Sequence, residues 1–244
     1  MHVMFSFLLG AVIGSFLNVV IYRLPLIMTG ERISLGYPAS GCPHCGAGIR
    51  WRHNVPLLGW LLLAGRCADC QRPISWRYPL VELLTALLFA LLLQRYGLTP
   101  QGGFMLVAAC LLVALAGIDL RTMLLPDRLT LPLWAAGVCA AFLGAGRVNG
   151  TEALTASTLG FAVPWLLDRL FYLWRHQPGM GMGDMKLFAA LGAWFGVDAL
   201  WRIMAVSPLL AIFSAVLLLR TKPGAPFPFG PYPIAVALAL FAWG

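Results

Sequence analysis

The chain has 244 residues, of which 60% are hydrophobic and only 11% charged, with a mean hydropathy of +0.83. A soluble domain carries about 25% charged residues; a single water-soluble core is excluded here, because too few polar side chains remain to cover its surface. The net charge of +8 comes from seventeen Lys and Arg against nine Asp and Glu, and the arginines sit mostly between apolar runs, which reads as membrane topology rather than nucleic-acid binding.

A bilayer-spanning helix needs about 20 apolar residues. Eight segments qualify in chain order: roughly 3–22, 79–96, 102–118, 129–146, 153–174, 185–197, 199–219 and 231–244. The sixth and eighth are short, so the expected fold is an all-α polytopic membrane protein with seven or eight transmembrane helices. No basic residue precedes the apolar core of the first segment, and Arg23 follows it. That order argues against a cleaved signal peptide and for an outside N-terminus. Gly10 and Gly14 have the spacing that lets another helix approach closely, and Asn18 is expected to bond to a neighbouring helix. Pro164 and Pro208 are expected to kink their spans.

With the N-terminus outside, the connections 23–78, 119–128, 175–186 and 220–230 face the cytoplasm. They hold most of the Lys and Arg, while Arg95, Arg147 and Arg202 fall on the other side. This asymmetry sets the orientation. The long first connection is the one small soluble module, and Trp51, Trp60 and Trp76 could rest it on the headgroup layer. Pro223 to Pro233 is too rich in proline for regular helix.

Of six cysteines, Cys110 and Cys139 lie in apolar segments and read as packing residues. The other four form Cys42-Pro-His-Cys45 and Cys67-Ala-Asp-Cys70. Two such knuckles fit a closed tetrahedral Zn2+ site with a structural role, and the cytoplasmic side disfavours disulfides. His44 reads as a surface residue, since four thiolates already complete the coordination.

Two carboxylates mark helix ends: Asp119 in Gly117-Ile118-Asp119 and Asp184 in Gly181-Met182-Gly183-Asp184. Two spans lie between them, so both face one side; two further spans place the cysteine module on that side too. Acids at the edge of a bilayer core are costly unless they act. A lone Asp119 could cap a helix or pair with an arginine, as Asp127 and Asp168 (beside Arg169) are expected to do. Gly181 and Gly183 permit unusual backbone angles and close approach by an extended substrate. Two close carboxylates share a proton; one can activate a water while the other donates to a carbonyl oxygen, as in an aspartic protease.

At this point the chain resembles the bacterial type IV prepilin peptidases. Gly14-Ser-Phe-Leu-Asn-Val-Val-Ile-Tyr-Arg-Leu-Pro25 is similar to the family's N-terminal motif, and the paired Cys-x-x-Cys module follows it. Ile118-Asp119 with Pro126-Asp127, Gly181-Met-Gly-Asp-Met-Lys186, and Phe227-Pro-Phe-Gly-Pro231 complete an ordered set over nearly the whole chain. One departure is Arg121, where many relatives carry another Asp.

The resemblance implies that Asp119 and Asp184 are catalytic and that the substrates are prepilins or pseudopilins of type IV pilus or type II secretion systems. A basic leader would be cleaved at the cytoplasmic face of the inner membrane, with S-adenosylmethionine as donor for N-methylation of the new terminus. Glu82 could contact the leader or ride at the interface. Lys186 could pair with an acidic substrate residue, stabilise the ionised aspartate, or anchor the helix. The parts are then a first transmembrane helix (1–24), a cytoplasmic zinc-binding module (25–78) and a transmembrane aspartic peptidase core (79–244). Competing readings are a proton-coupled transporter using the same acids, a different Gly-x-Gly-Asp protease cutting inside a span, and a structural assembly factor.

Overall fold

A computed structural model describes residues 2–177, 179–218 and 227–243. The described chain is helical, in the order α1 (His2–Met28), α2 (Leu58–Leu62), α3 (Arg77–Tyr96), α4 (Pro100–Thr122), α5 (Asp127–Phe142), α6 (Gly150–Arg175), α7 (Met182–Phe213) and α8 (Pro231–Trp243). Among the described residues, four helices are long and apolar enough to cross a membrane: Val3–Met28, Arg77–Tyr96, Pro100–Thr122 and Met182–Val216. The polytopic all-α class is therefore borne out. The chain forms two compact units, Met1–Gly97 and Leu98–Gly244.

In the first unit, α1 packs on α3 where the expected glycines lie. A Cβ on Gly10 would meet Phe89 Cβ at 2.7 Å and Ala86 Cα at 2.8 Å; one on Gly14 would meet Glu82 Cα at 2.7 Å. Small residues give close backbone approach in lipid, where no hydrophobic force drives helices together. Asn18 Nδ2 donates to the Tyr78 carbonyl at 3.0 Å, the helix-to-helix bond expected of it.

In the second unit, α6 and α7 cross equally closely: a Cβ on Gly160 would meet Phe188 O at 2.5 Å, and one on Gly192 would meet Ala156 O at 2.5 Å. Trp194, 1% exposed, donates its indole N–H to Leu133 O at 2.9 Å and meets Phe241 edge-on at 5.7 Å. Thus α5, α7 and α8 share one core.

The spans expected at 185–197 and 199–219 are two helical segments within Met182–Phe213, broken at Gly196 (φ 74°, ψ −177°), a conformation open to glycine without strain; the second runs on into a π-helical turn, Ser214–Leu218, and residue 219 lies outside the described residues. Two local expectations are corrected. The proline-rich stretch is helical from Pro231: Pro231 and Pro233 occupy the first turn of α8, where a missing N–H costs nothing. Residues 223–226 lie outside the described residues. Finally, Asp168 is bonded not to Arg169 but to the backbone N–H groups of Gly179 (2.7 Å) and Met180 (3.0 Å). Adjacent helical residues point apart, and Arg169 lies over the Trp165 ring.

Candidate active site and metal centre

Asp119 is in the last turn of α4, which ends when Met123 turns left-handed (φ 54°) and caps the Asp119 carbonyl. Asp184 is in the first turn of α7, whose N-cap is Gly181, an end that favours an acid. The structure brings the two within electrostatic reach of one another. Asp119 is 4% exposed, and its Oδ2 accepts the Gly230 N–H at 2.9 Å. Asp184 is half-buried and takes no side-chain hydrogen bond from the described residues. One acid is held by the backbone; the other takes no such bond among the described residues.

Glycines make this convergence possible. A Cβ on Gly230 would come within 3.0 Å of Asp119 Oδ2 and 3.2 Å of Leu125 Cδ2, and one on Gly183 within 2.9 Å of Leu125 Cβ. Leu125 thus fills the space between the two segments that carry the site. The close approach at Gly183 is made by this chain's own loop. A Cβ on Gly181 would meet only Asp184 Oδ2, at 3.2 Å, and Gly181 is exposed. Neither Gly181 nor Gly183 has positive φ.

The segment bearing Gly230 is fastened to its surroundings. Phe229 lies 6.1 Å from Phe188, Phe227 stacks on Tyr232 at 5.5 Å, and the Tyr232 hydroxyl bonds to Ser214 at 2.6 Å. Gly230 and Leu125 were missed as site residues from sequence. The signal available for Gly230 was its place in Phe-Pro-Phe-Gly-Pro; Leu125 gave none. Lys186 Nζ bonds both oxygens of Asp127, at 2.7 and 2.8 Å, linking α7 to the start of α5.

In the first unit, the sulfurs of Cys42, Cys45, Cys67 and Cys70 all lie within 4.8 Å of one another, with Cys42 and Cys70 3.8 Å apart. A tetrahedron with zinc–sulfur bonds of about 2.3 Å has edges of about 3.8 Å. The two knuckles repeat one backbone design. Cys42 N–H donates to Ala47 O and Cys67 N–H to Arg72 O, each at 2.9 Å; Gly46 N–H returns to Cys42 O and Gln71 N–H to Cys67 O. The bridges Gly41–Gly48 and Arg66–Pro73 close the two loops. Gly46 and Gln71 both have positive φ.

Backbone N–H groups of Cys45 and His44 draw the Cys42 thiol down to about 6. Cys45 is pushed up to about 11: the Ala47 amide lowers it, but desolvation and the thiols of Cys42, Cys70 and Cys67 raise it further. Four such groups become thiolates together only around a cation, so the donor set fits zinc. His44 is exposed and meets Arg72 through Nδ1 at 3.1 Å. Glu82 is buried, and its Oε2 accepts the Leu57 N–H at 2.7 Å.

Comparison with known proteins agrees with this division. The family model of the bacterial peptidase A24 N-terminal domain matches residues 8–96, and that of the type IV leader peptidase family matches residues 106–219. The protein is therefore a membrane peptidase by class. A protein of Aeromonas hydrophila named prepilin leader peptidase/N-methyltransferase is 43% identical over 262 residues, covering 98% of this chain and 89% of its own. Proteins of the same name from Neisseria gonorrhoeae (40% identical; 96% and 86% covered) and Klebsiella pneumoniae (49%; 80% and 86%) are similar too. The chain belongs to the type IV leader peptidase family. No solved structure matches it.

Proposed function

We propose that this enzyme is an inner-membrane aspartic endopeptidase that removes the basic leader from type IV prepilins or pseudopilins at the cytoplasmic face, and then methylates the new amino terminus. The observation that supports the peptidase reading is the placement of Asp119 and Asp184 at opposite helix ends within electrostatic reach, with Gly230, which bonds Asp119, and Gly183, next to Asp184, both packed against Leu125. The name shared by the relatives, prepilin leader peptidase/N-methyltransferase, supports the substrate class and the second reaction.

The pair holds one proton and one water. Its ionised member takes a proton from the water as the oxygen adds to the scissile carbonyl. Its protonated member donates to the carbonyl oxygen, giving a tetrahedral gem-diol. Collapse breaks the C–N bond: the nitrogen takes a proton from the pair, and a hydroxyl proton returns to it. The Gly230 amide fixes Asp119 Oδ2 and leaves its other oxygen for the water. Gly181, bare beside Asp184, leaves room for an extended backbone, and Gly183 lets Leu125 close the floor. Lys186 acts through Asp127, holding the start of α5 against α7.

The four cysteines would hold Zn2+ as a structural ion, with no position open to water. S-adenosylmethionine, when bound, would supply an activated methyl group on a sulfonium centre for the new terminal amine.

The test is to mix purified protein with a prepilin, with and without S-adenosylmethionine, and weigh the products. Loss of the leader alone, then a further methyl mass with the donor, is expected. Normal cleavage by both Asp119→Asn and Asp184→Asn proteins would end the aspartyl assignment.

A further inference from the structure

Asp184 sits in the first turn of α7, and that turn has no side-chain cap: its N-cap is Gly181, which offers no oxygen of its own. A capping side chain is what normally fixes the point where a helix begins. The Asp184 N–H bonds only locally, to Gly181 O at 3.1 Å. The carboxylate therefore goes where the turn goes, and the turn is set from outside α7.

Two braces do this. On the α5 side, Leu125 packs against Gly183 and Asp127 takes Lys186. The other brace comes from α6. Asp168 Oδ1 accepts the N–H groups of Gly179 at 2.7 Å and Met180 at 3.0 Å, the two residues just before the N-cap. Successive backbone N–H groups converging on one anion form a nest, and bonds to a charged acceptor are about twice as strong as neutral ones.

Phe171 adds to the same grip. It follows Asp168 by three residues, on the same face of α6, and a Cβ on Gly179 would meet its ring at 2.9 Å. Trp174 in turn meets Phe171 edge-on at 6.4 Å. The nearby arginines are turned elsewhere, Arg169 over Trp165 and Arg175 over Trp174, and neither described ion pair includes Asp168. Further along, α6 and α7 already lock together through Gly160 and Gly192. That packing does not need Asp168; its bonds act on the entrance to α7 alone.

We infer that Asp168 is a positioning residue of the peptidase: by holding Gly179 and Met180 it sets where α7 begins, and so where the Asp184 carboxylate stands relative to Asp119. The inference rests on the aspartyl reading above and adds to it a residue outside the pair.

The experiment is single-turnover cleavage of a purified prepilin by the full-length protein over a range of enzyme concentrations, which separates the maximal rate from half-saturation. Asp168→Ala should lower the maximal rate about 10²-fold, the scale of a displacement on the order of 1 Å in a catalytic group, with half-saturation within about twofold of wild type. Asp168→Asn keeps an oxygen for both amides without the charge; at half the bond strength it should recover to within about tenfold of wild type. Arg169→Ala, at the neighbouring position, should cleave normally. Gly179→Val displaces the same segment from the other side, by pressing on Phe171, and should also slow the maximal rate; Phe171→Ala in the same chain should restore it.

Wild-type maximal rates in Asp168→Ala and Gly179→Val overturn the inference and leave the aspartyl reading intact. Should Asp168→Ala not fold, Gly179→Val alone decides, by the same two outcomes. A weaker half-saturation at an unchanged maximal rate also overturns it, because Asp168 then shapes substrate binding and not the pair. Normal cleavage by Asp119→Asn and Asp184→Asn, run alongside, overturns the aspartyl reading and this inference with it.

Discussion

The cysteine module and the aspartate pair are built on opposite plans. Each knuckle is closed within eight residues, Gly41–Gly48 and Arg66–Pro73, by its own backbone bonds; a metal held by the four thiols would join two local loops. The aspartate site has no local part of that kind. Asp119 is held by an amide 111 residues away, and Leu125 fits only because Gly183 and Gly230 carry no side chain. Local chelation fails when its ion or a ligand is removed. A site assembled from distant segments fails when the packing between them shifts.

The largest expected effect is on the pair itself: Asp119→Asn or Asp184→Asn should lower prepilin cleavage by about 10²–10⁴-fold, the range of a lost acid–base group, in single-turnover assays. Next is Gly230→Val, whose Cβ would press on Asp119 Oδ2 at 3.0 Å and whose two methyl groups add to that crowding. A displacement on the order of 1 Å in a catalytic group costs about 10²-fold, and cleavage should fall by that order while zinc content holds. Equal activity would remove Gly230 from the site. Stripping the metal with a chelator should free four thiols to a thiol reagent and open the chain between 29 and 76 to protease, since structural zinc supplies folding energy. Freshly purified, reduced protein without zinc would contradict the module. The smallest effect is at Lys186–Asp127, whose side chains are 32% and 54% exposed. A double-mutant cycle should give about 0.2–1 kcal/mol.

The same contrast explains what could be read from the chain. The knuckles were legible because zinc dictates their spacing. The Gly10–Gly14 stripe and Asn18 were legible because lipid limits how helices associate. The two acids stood out because bilayer cores reject charge. Their partners did not stand out. An amide at Gly230 has no side-chain signature, and Leu125 is one apolar residue among many. Glu82 looked like an interfacial acid because its partner, the Leu57 N–H, belongs to a loop whose path no periodicity records. Asp168 was paired with its sequence neighbour, although helix geometry turns adjacent side chains apart.

The central claim is that water, not an enzyme nucleophile, attacks the scissile carbonyl between Asp119 and Asp184. Single-turnover cleavage in oxygen-18 water with added hydroxylamine tests it most directly. The account predicts one labelled oxygen in the leader's new carboxylate and no hydroxamate. A leader hydroxamate, the mark of a trapped acyl-enzyme, would contradict it.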